Sequence, residues 1–287
     1  MSASERLVAA GEELPVISEP AAMFHDLASK VPKLENFLKK MSHRPLRVAT
    51  MCSGTESPLL ALDKIADATE KLFGSRLNVE HVFSCEIEPF KQAYIERNFS
   101  PPILFRDIRE LKEKQAYTAY GALVDVPGNV DILVAGTSCV DYSNLNNEQK
   151  GLNEQGESGQ TFRGMKAWIM RCKPPVVILE NVCGAPWQQI VDDFASFGYT
   201  ADFLRLDTKR YYIPHTRTRV YLLAVLGDDD EGVLAQWKEV VKQLERPSSS
   251  TLEAFLFDTD DPRVNKGRQD LALPGEKNTR AETDWGR

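Results

Sequence analysis

Short aliphatic segments that alternate with helix-like stretches constrain the fold of this chain more than any other feature. Six segments are short and rich in β-branched or aliphatic residues, which is typical of buried strands. They are Leu46–Cys52, Val79–Cys85, Asp131–Gly136, Pro175–Glu180, Thr200–Leu206 and Val220–Leu226. Apolar residues at helical spacing lie near residues 57–73, 88–98, 162–172, 186–196 and 231–245. This alternation predicts an α/β fold built on a doubly wound, mostly parallel sheet.

The two ends of the chain lack this alternation. Residues 1–19 are small, acidic and aperiodic, whereas residues 21–41 show helical spacing that Pro32 interrupts, so that one kinked helix and two short helices are equally compatible. After residue 245 the periodicity is lost. The predicted divisions are an N-terminal arm and helix over residues 1–45, a central domain over 46–226, and a helix with an irregular acidic tail over 227–287.

Composition excludes several classes of protein. The five cysteines lie far apart and include no CxxC pair, which argues against a disulfide framework and a structural zinc site, so we predict no metal. The longest aliphatic run, Leu222–Leu226, is too short to cross a bilayer. The net charge of −7 disfavours a protein that coats nucleic acid unassisted. One local basic cluster remains, formed by Arg205, Lys209, Arg210, Arg217 and Arg219.

Residues after the first strands are candidates for a cofactor site, because ligands of a doubly wound sheet bind beyond the carboxyl ends of its strands. Ser53-Gly54-Thr55 forms a tight turn before a helix whose N-terminus favours an anion, although an ordinary turn explains this segment equally well. Glu86 follows the second strand, where an acidic side chain can accept both hydroxyls of a ribose. Asp107 is suited to accept from an adenine amino group or to cap a helix. Together they predict a nucleoside-containing cofactor.

Later strand ends carry groups suited to nucleophilic and acid–base chemistry. Cys139 follows a strand and has small neighbours, which suits a nucleophile, although a buried structural thiol is the simpler interpretation of most cysteines. Glu180 ends an apolar strand at a cleft, where a carboxyl group tends to have a raised pKa and can donate a proton. Arg217 and Arg219 alternate in an extended segment and therefore face the same side.

In this order and spacing, three segments resemble the motifs of the cytosine C5-methyltransferases. They are Gly136–Ser143, Glu180-Asn181-Val182 and Pro214–Tyr221. Ser53-Gly54, together with Glu86 and Asp107, looks like the S-adenosylmethionine site of that family. The resemblance covers about residues 46–226 and implies the Rossmann-like fold of S-adenosylmethionine-dependent methyltransferases, with the central domain as the catalytic domain.

The resemblance implies transfer of a methyl group from S-adenosylmethionine to C5 of cytosine in duplex DNA, with the target base flipped out. The Cys139 thiolate would add to C6 of the base, Glu180 would hold N3 and supply a proton, Arg219 would stabilise charge at O2, and Arg217 would support the loop. The implied cofactor residues are Ser53, Gly54, Thr55, Glu86, Ile87, Asp107 and Ile108. The implied nucleic-acid contacts are Ser143, Arg163, Asn181, Arg210 and His215.

The chain departs from the family pattern at three places. Ser138-Cys139-Val140 stands where the family usually has Pro-Cys-Gln, and His215 replaces the Gln that usually begins the arginine motif. The loop around Cys139 is similar to that of a fungal maintenance lineage whose methylase domain is joined to a chromatin-remodelling ATPase. Only the irregular residues 227–287 follow the last strand, so we expect a truncated target-recognition region, or recognition supplied by an additional domain or protein.

Three functions stay open at this point. They are a DNA cytosine methyltransferase, a tRNA cytosine methyltransferase of the same family, and a non-catalytic cofactor-binding module that regulates a partner methylase. The intact Cys139, Glu180 and Arg219 favour an enzyme over the non-catalytic module. The family resemblance also implies a nuclear location and a role in epigenetic DNA methylation, with no membrane association.

Overall fold

The computed structural model of the protein describes residues 14–142, 146 and 150–271. The strands are β1 Leu46–Met51, β2 Val79–Cys85, β3 Leu104–Phe105, β4 Gln115–Tyr117, β5 Leu123–Asp125, β6 Ile132–Ala135, β7 Val176–Asn181, β8 Tyr199–Asp207 and β9 Thr218–Leu226. The α-helices are α1 Pro20–Lys30, α2 Leu34–Met41, α3 Ser57–Phe73, α4 Pro89–Phe99, α5 Glu157–Cys172, α6 Trp187–Ser196, α7 Val233–Gln243 and α8 Pro262–Leu271. Among these helices, none has the length and apolar character that a membrane span requires.

Seven strands form one sheet in the order β3-β2-β1-β6-β7-β9-β8. The pairs from β3 to β7 are parallel, and β9 runs antiparallel to both β7 and β8. The chain therefore moves outward from β1 through β2 to β3 and then crosses back to place β6 on the other side of β1. This reversal is the point at which doubly wound sheets bind ligands. The predicted α/β fold with a mostly parallel sheet is confirmed.

Apolar layers cover both faces of the sheet. On β1, Ala49 and Met51 face the layer that contains α5 and α6, whereas Val48 faces the layer that contains α2 and α3. Because successive side chains of a strand point to opposite faces, a strand that is covered on both sides must be apolar at nearly every position. This requirement explains why the central strands read as continuous aliphatic runs in the sequence.

The structure refines several predicted elements. Residues 21–41 form two helices, since the residue before Pro32 is extended and separates α1 from α2. The strand β3 and the hairpin β4–β5 were not predicted, because two or three residues are too few to show a periodicity. The helix α5 begins at Glu157 instead of residue 162.

The segments that flank residues 46–226 pack against that part of the chain. The hydroxyl of Tyr212, between β8 and β9, donates a hydrogen bond to Asp26 on α1. The buried Arg246 lies 3.8 Å from Asp26, measured from Nε to Oδ2, and donates to the carbonyl of Pro15 at 2.6 Å. The N- and C-terminal segments are therefore held together beside the loop that precedes β9.

Gly164 sets the approach of α5 to the chain after β3. A Cβ atom at this position would lie 2.8 Å from the carbonyl oxygen of Ile108 and 3.2 Å from the Cα of Arg109. Both contacts involve backbone, which cannot move without shifting the segment that begins at Asp107. The absence of a side chain at Gly164 thus determines where that segment sits.

We expect Gly164→Ala to lower the free energy of unfolding by about 1–3 kcal/mol, because the added methyl group overpacks a backbone crossing. Urea or thermal unfolding measures this change. Gly267→Ala in α8 is the matched control, since a Cβ atom there meets open space and alanine favours the helix by up to about 1 kcal/mol. Equal stability of Gly164→Ala and the wild type would contradict the close crossing.

Candidate active site

A cleft of about 640 Å³ opens where β1, β2, β6 and β7 end. The register aligns Met51 with both Cys85 and Ala135, and Ala135 with Leu179. The residues that follow these positions therefore form a row along the edge of the sheet. The predicted site residues that line the cleft are Gly54, Glu86, Ile87, Asp107, Ile108, Cys139, Glu180, Asn181, Arg217 and Arg219.

Glu86 joins the end of β2 to the turn after β1. Its side chain is buried, and Oε2 accepts a hydrogen bond from the backbone N–H of Gly54 at 2.8 Å. Oε1 accepts from the backbone N–H groups of Ile87 and Glu88, both at 3.0 Å. Because each carboxylate oxygen can accept more than one hydrogen bond, Glu86 is held in place and keeps acceptor capacity for a ligand.

Asp107 has both of the features that the sequence suggested, a position in the cleft and a capping contact. Its Oδ1 accepts from the backbone N–H of Arg109 at 2.9 Å, and its Oδ2 accepts from the Arg109 guanidinium at 2.6 Å. Burial opposes ionisation of Asp107, but the hydrogen bonds from Arg109 hold its pKa below the usual value. Asp107 is therefore an ionised acceptor at neutral pH.

Ser53 and Thr55 do not line the cleft. The backbone N–H of Ser53 donates to the carbonyl of Cys85 at 3.1 Å, and its Oγ accepts from the N–H of Cys85 at 3.3 Å. Thr55 is exposed, with its Oγ1 at 3.3 Å from the Oγ of Ser57. These two residues shape the turn, and their assignment to the cofactor stays a prediction.

The loop that carries Cys139 is called the nucleophile loop, and its described part is residues 136–142. It is fixed on one side by the start of α5. The backbone N–H of Asp141 donates to the Oγ of Ser158 at 3.0 Å, and Asp141 Oδ2 accepts from the N–H of Ser158 at 2.7 Å. A Cβ atom on Gly156 would overlap that oxygen, so a side chain at this position would displace the Asp141 carboxylate. The Asp141 carboxylate thus satisfies the N–H of Ser158, which has no partner within the helix. This contact explains why α5 begins at Glu157, earlier than its apolar spacing indicates.

Asn181 fixes the same loop from the other side. The residue is 3% exposed, and its Nδ2 donates to the carbonyl oxygen of Thr137 at 2.9 Å and to the carbonyl oxygen of Ser138 at 3.4 Å. Its Oδ1 accepts from the N–H of Val182 at 2.8 Å. The amide of Asn181 is thus used to hold the loop, and its predicted contact with nucleic acid stays a prediction.

Glu180 and Arg219 form an ion pair inside the cleft. Oε1 of Glu180 lies 3.3 Å from Nε of Arg219. Burial raises the pKa of Glu180, and the positive charges of Arg219 and Arg217 only partly oppose this shift. Since β9 is antiparallel to β7, its first residues return to the edge at which β7 ends, and this brings the arginines to Glu180.

Three predicted nucleic-acid contacts lie away from the lining of the cleft. Arg210 forms an ion pair with Glu245, and His215 is exposed. Arg163 donates to two backbone carbonyl oxygens, at 2.7 and 3.1 Å, in the segment before α5. Ser143 lies outside the described residues. All four assignments stay predictions.

Several residues that line the cleft had no prior assignment, among them Lys91, Arg109, Glu157, Gln160 and Thr161. Glu157, Gln160 and Thr161 belong to the first turns of α5, which only the folded loop brings to the edge of the sheet. No spacing in the sequence signals their position. Among the described residues, His, Cys, Asp and Glu side chains form no cluster that could hold a metal ion.

Glu56 is a further residue that sequence reasoning missed. Its side chain has no exposed surface, and its Oε1 accepts hydrogen bonds from the hydroxyls of Thr50, at 2.7 Å, and Ser84. Its Oε2 has no hydrogen-bond partner among the described residues. Burial raises the pKa of Glu56 despite the hydrogen bonds from Ser84 and Thr50. In the sequence, this acid looks like an ordinary charge at the start of a helix.

We expect the stability of the protein to depend on the ionisation of Glu56. Its folded pKa lies above the ordinary value of 4.5, so its stabilising contribution is complete below that value and is lost as the pH rises through the folded pKa. Glu56→Gln stays neutral and should raise the free energy of unfolding by about 1–3 kcal/mol at about pH 8. The difference should shrink toward about pH 4.

Chemical denaturation at a series of pH values measures this effect. The exposed Glu70 on the same helix is the matched position, and Glu70→Gln should change stability by less than about 0.5 kcal/mol. A Glu56→Gln variant that is less stable than the wild type at alkaline pH would mean that the ionised carboxylate is required.

Comparison with known proteins identifies the family. Residues 46–283 match the family model for C-5 cytosine-specific DNA methylases, so the chain belongs to that family, as its motifs predicted. It is 57% identical, over 96% of its length, to a DNA (cytosine-5-)-methyltransferase DMT5 of Cryptococcus neoformans, and 33% identical, over 76% of its length, to the protein of the same name in Verticillium dahliae. The chain spans 12% and 11% of those two relatives.

More distant matches include a bacterial enzyme and a solved structure. The type II methyltransferase M.HaeII of Haemophilus aegyptius is 29% identical over 57% of this chain and 50% of its own. The crystal structure of the S. pombe Dnmt2 methyltransferase is 16% identical and superimposes with a TM-score of 0.46, over 65% of this chain and 51% of that chain.

Proposed function

We propose that this chain transfers a methyl group from S-adenosylmethionine to C5 of cytosine in DNA, through a covalent adduct on Cys139. The observation that carries the proposal is the cleft that holds Cys139, Glu180 and Arg219 beside the carboxylates of Glu86 and Asp107. Because the chain spans 12% of the length of its Cryptococcus relative, the activity, the substrate and the partners are all part of this proposal.

The cofactor half of the cleft has the chemistry that S-adenosylmethionine requires. Glu86 offers fixed acceptors for the ribose hydroxyls, and the ionised Asp107 offers one for the adenine amino group. Burial, with a smaller effect of the charge on Glu86, raises the pKa of Cys52 to about 12, so its thiol stays neutral and provides a weakly polar wall. The cleft volume lies within the ordinary range for small-molecule sites. When bound, the cofactor supplies an electrophilic methyl group.

The catalytic half activates the base. C5 of cytosine is a poor nucleophile until the Cys139 thiolate adds to C6 and converts C5 into an enamine carbon. Glu180, whose pKa is raised by burial in the cleft, gives its proton to N3 as the thiolate adds. Arg219 stabilises the charge that develops at O2, and Arg217 adds a second positive charge at the cleft. C5 then takes the methyl group, loss of H5 from the methylated adduct expels the Cys139 thiolate, and N3 returns its proton to Glu180.

Target recognition requires more than this chain supplies. Flipping a base out of a duplex costs a few kcal/mol, which phosphate contacts must offset. Within the basic cluster, Arg210 is paired with Glu245 and Lys209 lies 4.0 Å from Asp207, so part of the positive charge is already neutralised. An additional domain or protein therefore provides target recognition, and the family supports a nuclear location.

Calorimetry tests the cofactor part of the proposal. The protein should bind S-adenosylmethionine and its demethylated product, and Glu86→Ala should weaken binding by about 1–3 kcal/mol, since a charged hydrogen-bond acceptor is lost. Glu86→Gln keeps one acceptor oxygen, so its affinity should lie between the affinities of the wild type and Glu86→Ala. Glu113 is exposed and does not line the cleft, and Glu113→Ala should bind like the wild type. Folded protein that releases no heat with either ligand would reject the cofactor site.

A 5-fluorocytosine substrate tests the covalent step. Because fluorine cannot leave as a cation, the natural protein with cofactor should accumulate a complex with a 5-fluorocytosine duplex that survives denaturation. Cys139→Ala should abolish the complex, whereas Cys183→Ala, which removes an exposed thiol, should not. An active protein that forms no Cys139 adduct would overturn the mechanism. Adducts formed with 5-fluorocytosine tRNA but not with the duplex would mean that the substrate is RNA and not DNA.

A further inference from the structure

The residue before Cys139 contacts an acid that the mechanism has not used. The Ser138 hydroxyl donates a hydrogen bond to Oε1 of Glu157 at 2.6 Å, and both residues line the cleft together with Cys139. The family usually has proline at the position of Ser138, and proline has no side-chain hydroxyl. The pair is therefore a feature that the usual family motif cannot form.

The proposed reaction needs an acceptor for the proton on C5. Cys139 is bonded to C6 at that stage and leaves as a thiolate. Glu180 is committed to N3 and is paired with Arg219, whose guanidinium has no acceptor atom. None of these groups can take the proton from C5.

Stereochemistry determines on which side the acceptor must lie. The sulfur of Cys139 would attach to one face of the ring, and the loop that carries Cys139 lies on that side of the ring. The new substituent on C5 must therefore enter from the opposite face, which bends H5 toward the loop. An acceptor for H5 thus belongs to the loop itself or to a group in contact with it.

Glu157 meets this requirement better than the other acids in the cleft. Glu86 binds three backbone N–H groups, and Asp107 binds Arg109. Among the described acids that line the cleft, which also include Glu88 and Glu180, Glu157 accepts a hydrogen bond from the hydroxyl of the residue next to Cys139. Its carboxylate is exposed and can return a proton to solvent.

Ser138 is held so that its hydroxyl can pass a proton on. Its backbone N–H donates to the Oγ1 of Thr161 at 3.2 Å, and its carbonyl accepts from Asn181. The hydroxyl proton is directed at Glu157, and the backbone N–H of Val140 lies 3.4 Å from the oxygen. A hydroxyl oxygen has two lone pairs, so one acceptor position remains for a substrate proton.

We propose that Ser138 and Glu157 form a proton relay that accepts H5, an inference that rests on the proposed function. The electron pair of the C5–H bond forms the C5–C6 double bond, and the C6–S bond breaks to release the Cys139 thiolate. The proton moves to Ser138 Oγ as the Ser138 hydroxyl proton moves to Oε1 of Glu157. Glu157 becomes a neutral acid and then loses its proton to water.

Release of tritium from a duplex that contains 5-tritiated cytosine tests the relay. The release is measured on the natural protein with and without S-adenosylmethionine. Ser138→Ala and Glu157→Gln should each slow the release by about 100-fold or more, the scale of general base catalysis. Both variants should still form the 5-fluorocytosine adduct, and with cofactor they should also accumulate an adduct on ordinary cytosine. Ser138→Thr keeps a hydroxyl and should restore release. Glu154→Gln, which alters an exposed acid outside the lining of the cleft, should match the wild type.

Two outcomes would overturn the relay. Tritium release at the wild-type rate in both variants would show that another group accepts H5. Loss of the 5-fluorocytosine adduct in both variants would show that the pair only holds the loop in place. A wild-type protein that forms no 5-fluorocytosine adduct would instead reject the proposed function itself, which keeps the two failures distinct.

Discussion

The parallel register of four neighbouring strands is the constraint on which the site depends. Met51 pairs with both Cys85 and Ala135, and Ala135 pairs with Leu179, so these positions of the four strands lie at one level. The next residue of each strand then belongs to a single row, which contains Cys52, Glu86, Gly136 and Glu180. Hydrogen bonds between the strand backbones fix the positions in this row, and the side chains at these positions then determine the chemistry of the cleft. A shift of one residue in any of these strands would point its functional side chain to the other face of the sheet.

Tertiary hydrogen bonds make the described part of the nucleophile loop, residues 136–142, part of this rigid edge. Asp141 and Ser158 tie it to α5, and Asn181 ties it to β7. Each of these hydrogen bonds contributes on the order of 1 kcal/mol, and their effect is to define one conformation of the loop. The family usually restricts this loop with a proline before the cysteine, whereas here hydrogen bonds of Ser138 to Thr161 and Glu157 restrict the same residue.

Most of the candidate site lies at strand ends that the sequence pattern predicts. Glu86, Cys139 and Glu180 were predicted because they follow or end aliphatic segments, and all three line the cleft. The members of the basic cluster, in contrast, have partners that the sequence pattern does not predict. Arg210 and Arg219 are nine positions apart in one cationic stretch, yet Arg210 binds Glu245 and Arg219 binds Glu180. Charge density along a sequence does not indicate the partner of each charge, because the partners come from distant segments.

The sequence by itself determined the α/β class, the order of the central elements and the family, because the local alternation of apolar segments and the motifs at their ends are properties of neighbouring residues. Only the tertiary structure decided that β9 runs antiparallel and returns Arg219 to Glu180, that Glu56 is buried without exposed surface, and that Glu157 reaches Ser138. Each of these features depends on contacts between residues far apart in the chain. Burial and hydrogen bonding create them only when the sheet and its helices are packed together.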